Sequence, residues 1–182
     1  MDYLTRSQLQ LIHGLKSDRN ARRILAQMSD QINVKKEGQC VYYLNAKGRE
    51  IVGCQKVRKG TGNVDHYLMR NTLYIAFGMP DTWKNEIKIT SKGLTKKDTV
   101  TNIADALFKY QNTFHIVEVD NTQTMAKNKV KMEKYRLLIE RKAFGDVPPV
   151  FIWITTTELK RKYLQELCKG LTGQFFLVSE FA

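Results

Sequence analysis

One short run, Lys56–Asn63 (KVRKGTGN), constrains this 182-residue chain more than any other feature. It is basic, and Gly60-Thr61-Gly62-Asn63 reads as a turn or linker. A break there leaves two small domains, 1–58 and 63–182, each of which needs its own core. Neither side carries an internal repeat or a low-complexity tract.

The first segment alternates helix and strand signals. Thr5 or Ser7 caps a helix through about Leu15, with Leu9, Ile12 and Leu15 on its buried face. Ser17 and Asp18 cap a second over Asn20–Asp30, with Ile24, Leu25 and Met28 as its apolar stripe and Arg19, Arg22 and Arg23 outside. Two β-prone runs follow, Ile32–Lys35 and Cys40–Leu44, joined through Lys36-Glu37-Gly38-Gln39, and then a helical piece over Asn45–Val52. Helix, helix, β-wing, helix outlines a winged helix-turn-helix. In such a unit the second helix enters the major groove and the wing touches phosphates. Asn20, Arg22 and Arg23 are then the expected readers, Lys35 and Lys36 the wing contacts, and Arg19 fits either role. The competing reading is a helical domain whose arginines only solvate one face, or one that binds protein.

Charge supports a nucleic-acid partner. Lys and Arg number 30 against 18 Asp and Glu, a net charge of +12. The residues through Lys59 hold 12 of the basic and 5 of the acidic side chains, more than their share.

The second segment reads α-β-β-β-α-β-α-β: a helix over Val64–Phe77, a strand over Trp83–Thr90, a hairpin of Ile103–Lys109 and Phe114–Val119, a helix from about Thr124 to Lys142, a buried strand at Val150–Thr156, a helix over Glu158–Cys168 and a strand at Phe175–Val178. That order implies an α/β sheet covered by helices. On the strand Phe114–Asp120 (FHIVEVD), period two puts Glu118 and Asp120 on one face. Two acids at the end of an apolar strand repel each other and lose hydration, so a divalent metal, a basic neighbour or exposure must offset them. Asp105 lies on the preceding strand, and Glu86 lies upstream behind Trp83. Phosphodiester cleavage uses such oxygen ligands around Mg²⁺ with a lysine to orient water. The plainer alternative is an acid pair salt-bridged to the lysine-rich helix that follows. His13, His66 and His115 lack ligand spacing, and Tyr42, Tyr43 and Trp153 read as core or wing aromatics.

Taken in order, several motifs resemble the replication-relaxation family of plasmid and mobile-element proteins: Leu4-Thr5…Gln8-Leu9, Val41-Tyr42-Tyr43-Leu44-Asn45…Gly48, His66-Tyr67-Leu68-Met69-Arg70-Asn71, Trp83…Glu86, and Ile116-Val117-Glu118-Val119-Asp120…Lys131…Tyr135. The resemblance spans nearly the whole chain. It implies an N-terminal winged helix and a role in plasmid or phage replication, relaxation or its regulation. The second segment also resembles the PD-(D/E)xK nuclease superfamily. That resemblance sets Glu86 at the first-helix acid, Ala104-Asp105 at the Pro-Asp, Glu118-Val119-Asp120 at the (D/E)xK and Lys131-x-x-x-Tyr135 at a helical QxxxY. Asp120 stands where the catalytic lysine belongs, so Lys131 must supply the cation from the next helix or the fold is an inactive relic.

The expectation is therefore an α+β or α/β chain, a winged helix followed by an α-β-β-β-α-β nuclease-like domain, that binds double-stranded DNA without turnover. The α/β domain would act as a basic platform or an oligomerisation surface. If the site is active instead, Asp105, Glu118, Asp120 and Lys131 are its catalytic set. Glu86, Asp105, Glu118 and Asp120 would then be its metal ligands, with Mg²⁺ or Mn²⁺ as cofactor; otherwise no cofactor is required. A third reading is an adaptor for a relaxase or replication initiator, and a homodimer on a palindrome fits the winged helix. The longest apolar run, Val147–Ile154, contains two prolines and is too short to span a bilayer. Met1–Thr5 lacks a secretory leader's pattern, and Cys40, Cys54 and Cys168 lack zinc or disulfide spacing, so the expected setting is cytoplasmic, away from membranes.

Overall fold

The computed structural model describes residues 1–60, 63–95 and 97–181; Thr61 and Gly62 of the expected linker lie outside the described residues. The chain is a mixed α+β protein with a five-stranded sheet, a three-stranded sheet and, among the described residues, six α-helices. It divides into two compact units, Met1–Met79 and Pro80–Ala182.

In the first unit the order is β1 (Leu4–Thr5), α1 (Arg6–His13), α2 (Asp18–Gln27), β2 (Ile32–Glu37), β3 (Gln39–Leu44), α3 (Ala46–Ile51) and α4 (Val64–Ala76). The sheet is antiparallel in the order β1-β3-β2, so the pair α1–α2 is inserted between one edge strand and the other. Thr5 caps α1 in a full capping box with Gln8, and Ser17 caps α2 by accepting from the Asn20 N–H. Gly38 takes φ +70 at the hairpin tip, where Glu37 pairs with Gln39. On α1 the residue that is buried is Gln8, while Leu9, Ile12 and Leu15 are half-buried. The Gln8 side-chain amide donates to the Leu68 carbonyl at 3.0 Å, so a polar side chain is buried more deeply than the leucines and isoleucine expected on that face. Met28, expected on the α2 stripe, sits exposed at the C-cap; Ala21 and Leu25 are the buried residues.

The boundary lies near residue 79 and not at 58–63, because α4 packs into the first unit. Asn71 Nδ2 donates to the Tyr3 carbonyl at 2.6 Å, and Tyr3 OH to the Lys59 carbonyl at 2.7 Å. Arg70, fully buried, and Arg58 both reach Asp2 Oδ2, at 3.2 and 2.8 Å, with the Tyr67 ring under both guanidinium groups. Burial works to raise the Asp2 carboxyl, but the two arginines outweigh it and hold it below its ordinary value. The run Tyr67–Asn71 therefore fastens the N-terminal strand, and Val64, with Tyr67 and Leu68 beside it, packs into the same core as Tyr3 and Val41.

The second unit has β4 (Lys84–Ser91), β5 (Val100–Tyr110), β6 (Thr113–Asp120), α5 (Met125–Glu140), β7 (Val150–Thr155), α6 (Glu158–Leu167) and β8 (Gly173–Leu177), followed by a 3₁₀ turn over Val178–Phe181 that takes Val178 out of the expected strand. The sheet runs in that same order, antiparallel through β6 and parallel from β6 to β8, with α5 and α6 as the crossovers that parallel pairing requires. Gln111 and Asn112, at φ 44 and 66, make the two-residue hairpin turn between β5 and β6. Ile116, Phe151 and Trp153 from the sheet pack against Met132, Tyr135 and Leu138 of α5 and Leu164 of α6. This core holds the C-terminal end of β6 directly beneath α5.

Candidate functional site

In the first unit, α2 turns Ala21 and Leu25 inward, which leaves Arg19, Arg22 and Arg23 on its exposed side within about one turn and a half. Arg22 Nε pairs with Asp18 at 2.7 Å, and Asp18 also holds Arg6 at 2.5 Å. Asn20 faces inward instead. Its Nδ2 donates to the Leu15 carbonyl at 3.0 Å, closing the turn between α1 and α2, and its Oδ1 accepts from Arg23 at 2.9 Å. Lys35 and Lys36 lie on the outer strand of the hairpin opposite Val41 and Cys40, Lys35 half-buried and Lys36 exposed. The helix and the hairpin thus put cations on two consecutive elements of one unit.

In the second unit the chemistry collects around β6. Glu118 is 1% exposed. Its Oε2 accepts a hydrogen bond from Lys131 Nζ and its Oε1 accepts one from Tyr135 OH at 2.5 Å. Lys131 and Tyr135 are four residues apart on α5, so one helical turn presents both donors to the same carboxylate. Asp105 Oδ2 lies 4.0 Å from Lys131 Nζ and accepts from the Val119 N–H at 2.8 Å. The β5–β6 ladder stops at Ala106↔Val117, and the Asp105 side chain occupies the next N–H in place of backbone.

Desolvation pushes the Glu118 carboxyl up to about 8, against the pull of Lys131 and with a further push from Asp105. Burial works against the Lys131 charge, but Glu118 and Asp105 outweigh it and hold the ammonium above its ordinary value. Burial, reinforced by Glu118, raises Tyr135 well above 10. The cluster therefore keeps a charged lysine beside a carboxyl that resists ionisation.

Asp120, on the same face of β6 and fully buried, belongs to a separate network. Asn128 donates to its Oδ1 at 2.9 Å, Thr155 donates to its Oδ2 at 2.9 Å, and Lys160 Nζ lies 3.2 Å from Oδ2. Asn128, Thr155 and Lys160 went unnoticed in the sequence; the i+8 position of Asn128 on the following helix is the one local signal for it.

Asp105, Glu118 and Lys131 thus come together, with Tyr135 added, and Asp120 has its own partners. Glu86 is exposed on the edge strand β4 at φ 54, where the ladder passes from Asn85↔Ala106 to Ile87↔Ala104. Among the described residues, no three His, Cys, Asp or Glu side chains form a group that could hold a metal ion. Each buried acid instead has a lysine as its cation, with hydroxyl or amide donors on its remaining lone pairs. No helix among the described residues is long and apolar enough to cross a membrane.

A solved structure, protein VC1899 from Vibrio cholerae, is similar over 96% of this chain and 42% of that one, at 14% identity and a TM-score of 0.42. The chain spans less than half the length of that protein, and the likeness is too slight to carry an argument. Among curated proteins none matches the sequence. The family model described as replication-relaxation matches residues 1–150, most of both units. The chain belongs to the replication-relaxation family.

Proposed function

We propose that the protein is a sequence-preferring DNA-binding protein of a plasmid, phage or conjugative element, working in the cytoplasm in replication, DNA relaxation or its regulation. The first unit is the reader. Its support is one observation: a two-helix pair lies between β1 and a basic hairpin in a sheet of order β1-β3-β2, with Arg19, Arg22 and Arg23 outward on the second helix. That order of elements supports reading the unit as a winged helix whose second helix enters the major groove. Arg22 and Arg23 contact base edges, Arg19 contacts base or phosphate, and Lys36 and Lys35 contact the backbone. Asn20 acts through Arg23 as a positioning residue. The second unit serves as a nuclease-like scaffold without turnover, a reading supported by Asp120 standing where the resemblance puts the catalytic lysine.

A second reading, metal-dependent nicking, is favoured by the reach of Lys131 to Glu118 and Asp105, which supplies from α5 the cation that Asp120 cannot. One experiment separates the two. Supercoiled plasmid is incubated with the protein in EDTA, Mg²⁺ or Mn²⁺, and each sample is run both native and deproteinised. A mobility shift without nicked or linear product supports the binding reading. Metal-dependent nicking that disappears in Glu118→Ala supports turnover instead. Neither shift nor nicking favours a protein adaptor for a relaxase or replication initiator.

A further inference from the structure

The exposed surface of α5 is not uniform. Lys127, Lys134 and Arg141 recur every seven residues, from the first turn of the helix to its C-cap, so they form one row along a single flank. Successive members are about 10.5 Å apart along the axis. No acid falls on that row. The helix's two glutamates, Glu133 and Glu140, lie on the outer ridge with the exposed Val130 and Leu137. Lys131, next to the row, turns inward to Glu118 and Asp105 and does not extend the row.

The row is also held rigidly. Thr124 caps α5, Asn102 Nδ2 donates to the Lys131 carbonyl at 3.0 Å, and Arg141 NH1 donates to the Asp98 carbonyl at 2.5 Å. Those two bonds lay this flank along β5. A solvated helix face gains from alternating charge, with acid and base three or four residues apart. A cation row with no acid on its own flank of the helix, and with the Asp98 carboxylate, which Thr95 holds, near Arg141 alone, suits a polyanion with closely spaced charges, as a nucleic-acid backbone has.

We infer that the Lys127–Lys134–Arg141 flank of α5 is a second, sequence-independent contact for the phosphate backbone of duplex DNA. It rests on the DNA-binding reading above and gives the second unit a contact of its own for duplex DNA. The two contacts separate by their salt dependence. Backbone contacts release counterions, so each one lost lowers the slope of log K against log [salt] by about 0.9. Lys127→Gln/Lys134→Gln keeps good helix formers at two exposed positions and leaves the core untouched.

The test measures affinity of the full chain for a preferred and a random-sequence duplex by fluorescence anisotropy across a salt series. The expected result is a slope roughly 1.8 smaller in the double variant on both duplexes, with the preference ratio unchanged. An unchanged slope in a variant that retains the wild-type circular dichroism overturns the inference and leaves the reader assignment standing. A wild-type chain that binds neither duplex at low salt overturns the reader assignment and the inference together.

Discussion

Lys131 Nζ and Glu118 Oε2 are hydrogen-bonded across the junction of α5 and β6, with Glu118 almost wholly out of water and Lys131 only slightly exposed. The pair resolves what the sequence left open at the end of the strand FHIVEVD: the acid is kept by a tethered ammonium. Removing Lys131 takes a hydrogen-bond donor and a cation away from a buried carboxyl, whereas replacing both partners leaves no acid in need of them. Lys131→Met is expected to destabilise the second unit by about 1–3 kcal/mol, and Lys131→Met/Glu118→Gln by less. Both tryptophans, Trp83 and Trp153, belong to this unit, so urea unfolding followed by tryptophan fluorescence reports on it selectively. Equal losses in the single and double variants would show that the two side chains are not coupled.

The raised Glu118 carboxyl makes stability depend on pH. Folded it titrates at about 8, and its ordinary value is 4.5, so between these values the folded chain holds a proton that the unfolded chain has released. The contribution is full below pH 4.5 and is lost as the pH rises through about 8. His115, which burial holds below its ordinary 6.5, is common to both chains, so comparison with Glu118→Gln removes its effect. The wild-type urea midpoint should fall between about pH 5.5 and 8.5 by more than that of Glu118→Gln. Parallel profiles would mean that Glu118 ionises near its ordinary value.

Asp120 offers a second test of the buried acids. Asp120→Ala leaves the Asn128 amide, the Thr155 hydroxyl and the Lys160 ammonium without their acceptor in a site that excludes water. A loss of about 3–5 kcal/mol is expected, as for breaking any buried ion pair. Asp120→Asn, which keeps an acceptor oxygen, should cost less. The reverse ranking in the same fluorescence assay would place the Asp120 carboxylate outside this network.

Gly48 tests the first unit. A Cβ there would stand 2.1 Å from the Gln31 carbonyl oxygen, which already accepts from the Asn45 N–H that leads into α3. The clash is with backbone and cannot be relieved by a rotamer change, so Gly48→Ala is expected to cost at least 1–3 kcal/mol. The readout is a lower thermal midpoint by far-UV circular dichroism, with tryptophan fluorescence in the second unit unchanged. A wild-type melting profile would refute the packing of α3 against that turn.

The order of elements in the second unit was legible because each carries its own period: alternation in Glu86–Ile89, an apolar run at Val150–Ile154, and a helical stripe through Met132, Tyr135 and Leu138. The caps Thr5 and Ser17 were legible for the same local reason. Strand β1 was not, because two residues have no period and their pairing with Val41 and Tyr42 is a tertiary event. Nor was the allegiance of α4: its buried apolar residues Val64, Met69 and Leu73 name no partner by themselves, and the bonds of Asn71 and Arg70 to Tyr3 and Asp2 form only in the fold. At the candidate site the acids stood out as polar residues on an apolar strand. Their partners Asn128, Thr155 and Lys160 look like ordinary polar residues until the fold brings them in.

The most direct test of the account is selection of duplexes from a random library by the wild-type protein and by Arg22→Ala/Arg23→Ala. The account predicts that the wild type enriches a short motif and that the variant loses it, with about 1–3 kcal/mol of affinity gone per base contact removed. A motif enriched equally by both proteins would contradict α2 as the reader. Failure of the wild type to enrich any motif would contradict sequence-preferring recognition itself.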